Sequence, residues 1–132
     1  MKKYLLIILV ALTTTFDRAS AQEKLALNHG AKWQVDQPTA KNVAALRQLV
    51  TAGQKADLAE YNRAGVALQK RIGQMIRECH MKGEAHQALH HWLEPLMEQV
   101  VRLNKATDEA AAHLAYQQAR DQLALFSQYF RS

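Results

Sequence analysis

Residues 79–91 read CHMKGEAHQALHH and bring together side chains that commonly bind metal ions. This stretch contains the single cysteine of the chain, four of its six histidines and one methionine. His86 and His90 are spaced i, i+4, which would place both imidazoles on one side of a helix, where they can share an ion. Cys79 would add a thiolate and Met81 a thioether. The sequence thus predicts a metal site formed by Cys79, Met81, His86 and His90.

The chemistry of these ligands restricts the ion. Thiolate, thioether and imidazole form a soft-to-borderline set that suits copper, particularly Cu(I), and after it zinc. Calcium and magnesium bind oxygen ligands, so these side chains would serve them poorly. We therefore expect copper or zinc as cofactor and partner, in a protein that acts in metal buffering, delivery or sensing.

Three other interpretations of the same stretch stay open. One is a metal-free interaction or accessory module, in which Cys79 is a small buried apolar residue and the cluster is structural. Another is haem, because His80 follows Cys79 as in the C-x-x-C-H motif, but Ile76 stands where the first cysteine belongs, so haem is not favoured. The third is a Cys79 nucleophile activated by His86 or His90. Since no oxyanion hole can be read from helices, no catalytic residue is predicted.

The beginning of the chain has the organisation of a secretory signal peptide. Two lysines precede an apolar run at residues 4–12, and Ala19, Ser20 and Ala21 form an A-x-A cleavage signal. The run is about half as long as the roughly 20 apolar residues of a transmembrane helix. We expect a signal peptide at residues 1–21, its cleavage, a periplasmic location and no stable membrane anchor.

This compartment limits the chemistry of Cys79. Disulfides form there, but a single cysteine cannot make an intramolecular bridge. Four states remain open for the thiol: a buried inert group, an intermolecular cross-link, a reactive thiol or a metal ligand.

The charge of the chain does not indicate a nucleic-acid partner. The formal net charge is +5, and the predicted signal peptide carries three basic residues and one acidic residue of that total. The net positive charge that remains is small, and the remaining sequence contains no run of five like charges. We therefore expect neither nucleic acid nor an anionic membrane as partner.

The rest of the chain favours helices. It contains two prolines and many good helix formers, and apolar residues recur at spacings of three and four. These residues form an apolar seam along each predicted helix, which in the fourth helix consists of Ala112, Tyr116, Ala119, Leu123, Phe126 and Phe130. This pattern predicts an all-α protein, an up-down-up-down four-helix bundle at residues 39–132 after an irregular leader at residues 22–38. The predicted helices run from Thr39 to Ala52, from about residue 56 to Cys79, from about Glu84 to Lys105, and onward from Thr107 as N-cap.

The predicted topology decides which candidate ligands can meet. The second helix ends, and the third begins, at the same end of the bundle as the leader. Cys79, Met81, His86 and His90 therefore gather at this end. We expect His113 near the opposite end, where it cannot join them.

Two blocks of the sequence resemble a family. LNHGAKW at residues 27–33 and ECHMKGEAHQALHHWLEP at residues 78–95 are similar to a group of small secreted bacterial helical proteins of unassigned function. The shared pattern is L-N-x-G-x-K-W followed by C-x-M-x-G-x-x-H-x-x-L-H-x-W-L-x-P. Its named positions beyond the four candidate ligands include Gly30, Lys32, Trp33, Gly83, Leu89, Trp92, Leu93 and Pro95. The pattern includes all four candidate ligands and leaves out His29, His80 and His91, but the resemblance implies no activity and no role for the residues it selects.

Overall fold

The computed structural model describes residues 25–132, so the predicted signal peptide at residues 1–21 lies outside the described residues. Residues 25–132 form four helices, with a short strand before the first and another after the last. The elements are β1 (Trp33–Gln34), α1 (Gln37–Val50), α2 (Leu58–Glu78), α3 (Gly83–Lys105), α4 (Glu109–Tyr129) and β2 (Phe130–Arg131). Each helix packs on the next, and α4 returns to α1. This confirms the predicted all-α four-helix bundle.

Aspartates begin three of the helices in the described chain. Asp36, Asp57 and Asp108 precede α1, α2 and α4, and each carboxylate accepts a hydrogen bond from the backbone N–H three residues later, at 2.9, 2.8 and 2.8 Å. These bonds satisfy amides that lack a partner within the helix and place negative charge at its positive end. The N-cap of α4 is therefore Asp108, one residue later than the predicted Thr107, because the carboxylate is the group that reaches Ala111.

The predicted apolar seams meet in one core. Members of the fourth seam are all buried: Ala112, Tyr116, Ala119, Leu123, Phe126 and Phe130. Trp92 of α3 is fully buried, and its Nε1 donates to the Gln122 carbonyl oxygen at 2.8 Å. Gln122 Nε2 donates back to the Trp92 carbonyl oxygen at 2.7 Å. These two bonds join α3 to α4 within the core.

The leader is more ordered than the predicted irregular segment. Trp33 and Gln34 pair in parallel with Phe130 and Arg131, and the Val35 N–H donates to the Arg131 carbonyl oxygen at 2.9 Å. A two-residue strand is too short to show alternation, and its partner lies at the far end of α4. For these two reasons, the sequence pattern could not reveal the pairing of β1 with β2.

Candidate metal site

The turn between α2 and α3 is held by the leader. Cys79 follows the last residue of α2, and Gly83 begins α3 with φ 69°, a conformation that favours glycine. Asp36 caps α1 with one carboxylate oxygen and accepts from the backbone N–H of His80 with the other, at 2.8 Å. Burial acts to raise the pKa of the Asp36 carboxyl, but hydrogen bonds from Thr39 and His80 outweigh it and lower the pKa.

A second polar link fixes the end of α2. Asn42 of α1 is buried, and its Nδ2 donates to Glu78 Oε2 at 2.7 Å. Gln74 Nε2 donates to the other carboxylate oxygen at 2.8 Å. Hydrogen bonds from Asn42 and then Gln74 lower the pKa of the Glu78 carboxyl. The residue immediately before Cys79 is thus anchored to α1.

His86 and His90 form a close imidazole pair on α3. Their Nε2 atoms are 3.0 Å apart, the ring centroids are 4.5 Å apart, and the rings meet edge to face at 67°. Without an ion, a hydrogen bond at this distance requires one of the two Nε2 atoms to carry a proton. With metal–nitrogen bonds of about 2.0–2.1 Å, the same separation corresponds to an angle of about 90–100° at a shared ion. The pair therefore has the spacing of a two-nitrogen chelate.

The imidazole pair lies beside a cavity between α2 and α3, with a volume of about 280 Å³. We call it the His86–His90 cavity. Its polar members are Cys79, His86, His90 and Glu94, and the remainder of its lining is apolar. Three of the four predicted ligands thus line one cavity.

Met81 is the predicted ligand that the structure does not bring to the cavity. Its side chain is half-buried, packs against the hydrophobic core and is not part of the cavity lining. Met75 and Met97 line the cavity, although neither was predicted as a site residue. Met97 follows His90 by seven residues, or two helical turns, which is the signal that could have placed it on the same side of α3.

The other histidines of the described chain lie apart from this pair. His29 and His80 are exposed, and His91 is half-buried outside the cavity lining. His113 Nδ1 is 2.8 Å from Tyr61 Oη near the start of α2, in agreement with its predicted place at the opposite end. Within residues 25–132, no three His, Cys, Asp or Glu side chains are arranged to hold a metal ion. The arrangement present is therefore a two-imidazole pair.

No protein-family model matches the chain, and comparisons with curated proteins and with solved structures find no match. In the part of the chain that the structure describes, no helix combines the length and apolarity needed to span a membrane. The fold and the site themselves define the class of protein. It is an all-α four-helix bundle with a histidine pair beside an apolar interhelical cavity.

Proposed function

We propose that the protein is a periplasmic soft-metal protein that binds copper or zinc through His86 and His90, with the Cys79 side chain moving toward the pair as a third ligand when the ion binds. The observation that supports this most directly is the 3.0 Å separation of the two Nε2 atoms. Both imidazoles stand on one helix, so binding the ion requires little rearrangement of the backbone. Binding through both Nε2 atoms would require each neutral imidazole to carry its proton on Nδ1, and the Cys79 thiol would release one proton to solvent when its thiolate binds the ion.

The position of the pair supports a role in metal exchange. Structural zinc sites are closed by four protein ligands, which holds the ion permanently. Here His90 is exposed and Cys79 is half-buried at the edge of the bundle. An incoming ligand can reach an ion at this position, which is what metal buffering, delivery or sensing requires.

Metal titration of histidine variants tests the proposal. We expect the purified protein to bind about one equivalent of Cu(I) or Zn(II) saturably in competition with a chromophoric chelator. His86→Ala or His90→Ala should reduce the affinity by about tenfold to a hundredfold or more, since either change leaves a single imidazole. His80→Ala is the matched control, because it removes an exposed imidazole outside the cavity and should leave the affinity unchanged.

Cys79→Ser tests the third ligand in the same titration and should weaken Cu(I) binding more than Zn(II) binding, because thiolate is the softest ligand of the set. Unchanged affinity in both histidine variants would contradict the chelate. Folded protein that binds neither ion would instead favour the metal-free module.

A further inference from the structure

The His86–His90 cavity is larger and more apolar than a metal ion needs. Its volume of about 280 Å³ is roughly twice that of the engineered cavity of about 150 Å³ that binds benzene. Ile76, Leu89 and Leu93 form its walls together with two methionines. Such a concave apolar space with a few polar groups is typical of a small-molecule site.

The residues that line the cavity extend along both helices. Along α3 its lining extends from His86 to Met97, about 16 Å at 1.5 Å per residue. On α2, Cys79 lies at the end near the turn, and Ile76 and Met75 lie further along. The imidazole pair and the thiol thus mark one end, and toward the other end the lining is apolar except for Glu94, one helical turn beyond His90.

Two apolar side chains on the edges of the cavity are exposed. Ile76 of α2 is 50% exposed and Met97 of α3 is 40% exposed. Both line the cavity, one from each helix. An apolar molecule in the cavity would cover surface that these side chains now present to water, which favours binding.

The charges around the cavity restrict the polar end of such a molecule. Among the described residues that line it, Glu94 is the one carboxylate and no lysine or arginine is present. An anionic head group at the imidazole pair would therefore find no lysine or arginine to pair with, and the nearest charged lining residue, Glu94 one turn beyond His90, has the same sign. An uncharged hydroxyl group fits better, because it can both donate and accept and can therefore replace the hydrogen bond between the two Nε2 atoms with one bond to each.

We propose that the His86–His90 cavity binds a linear aliphatic molecule with an uncharged polar head, the head at the imidazole pair and the chain along α2 and α3. This binding is a second property of the protein and does not require a metal ion. The aliphatic alcohol 1-octanol is the probe, and octanoate has a chain of equal length with an anionic head.

Methyl NMR of methionine-labelled protein tests the proposal in the presence of EDTA. Saturable shifts of the Met75 and Met97 methyl signals on addition of 1-octanol are expected, while the Met81 signal stays in place because Met81 lies outside the cavity. Octanoate should bind more weakly by about tenfold or more, because its carboxylate would lose hydration at the imidazole pair with no lysine or arginine in the lining to pair with it.

Two surface variants give a matched comparison. Ile76→Glu places a carboxylate at the edge of the cavity and should weaken 1-octanol binding by about tenfold or more. Val66→Glu makes a similar change at a 62%-exposed position of the same helix outside the cavity and should have no effect. Since both positions are exposed, both variants should fold, which circular dichroism verifies.

Three results would overturn the proposal: equal shifts of all three methionine signals, wild-type affinity in Ile76→Glu, or octanoate binding as tight as that of 1-octanol. A failure of metal binding leaves these measurements unaffected, because EDTA is present throughout. The two proposals can therefore fail separately.

Discussion

A single carboxylate, that of Asp36, connects three parts of the molecule. One oxygen caps α1 through the Thr39 N–H at 2.9 Å, and the other accepts the His80 N–H at 2.8 Å. The Asp36 carboxylate thus links the leader to the start of α1 and to the turn before α3. This side chain positions the turn that carries Cys79.

The lowered pKa of Asp36 makes its contribution to stability depend on pH. The folded-state pKa lies below the ordinary value of 3.8, so the ionised carboxylate stabilises the fold fully above that value, and this stabilisation is lost as the pH falls further. We expect Asp36→Asn to lower the free energy of unfolding near pH 6, and the difference from wild type to shrink below about pH 4. Urea denaturation across this range measures it. A difference that stays constant with pH would contradict this role.

The approach of α2 to α3 depends on one of two glycines in α2. A Cβ atom at Gly65 would lie 3.0 Å from Leu103 Cγ and would also overlap the Asn104 side chain. Leu103 is fully buried and cannot move away easily. At Gly73 the nearest atom would be the terminal Nη1 of Arg77, at 3.3 Å, which can move. Close packing between the helices therefore requires Gly65 but not Gly73.

Alanine substitutions at these two positions should have opposite effects. Gly65→Ala is expected to destabilise the protein by about 1–3 kcal/mol through overpacking, which exceeds the gain in helix propensity. Gly73→Ala should stabilise it by about 0.5–1 kcal/mol, because alanine loses less backbone entropy in a helix. Thermal or urea denaturation of the two variants measures both changes in the free energy of unfolding. Equal effects of the two changes would show that helix propensity alone accounts for them.

At the scale of the whole molecule, Trp92 connects α3, the helix that carries His86 and His90, to α4. Its indole is fully buried, lies 4.9 Å from the Phe126 ring between centroids, and exchanges hydrogen bonds with Gln122 through its Nε1 and carbonyl oxygen. The same helix carries His86 and His90 two turns or less before Trp92. Packing of α3 therefore depends on its contacts with α4 as well as on those with α2.

Trp92→Phe should lower the free energy of unfolding by about 2–4 kcal/mol, because it removes buried volume and one buried hydrogen bond. Val66→Ala, at an exposed position, should change it by no more than about 0.5 kcal/mol. Urea denaturation followed by circular dichroism measures both. If Trp92→Phe cost as little as Val66→Ala, the α3–α4 contact would not be central to stability.

Periodicity along the chain was sufficient to predict the helices. Spacings of three and four residues report which side of a helix is apolar, and the seams of the second, third and fourth helices are largely buried in the structure. The i, i+4 spacing of His86 and His90 likewise predicted that the two imidazoles lie close together, because this proximity depends on one helix alone. Helix limits differ by a few residues because side-chain capping, as at Asp108, decides them locally.

The four helices and the imidazole pair could be predicted from the sequence alone, because both follow from residue spacing within single helices. Only the tertiary structure decided that Met81 turns toward the core, that Met75 and Met97 line a cavity with the pair, and that the leader pairs with β2. These features depend on how one element is placed against another. That placement is set by side-chain packing between helices, which no pattern within one helix records.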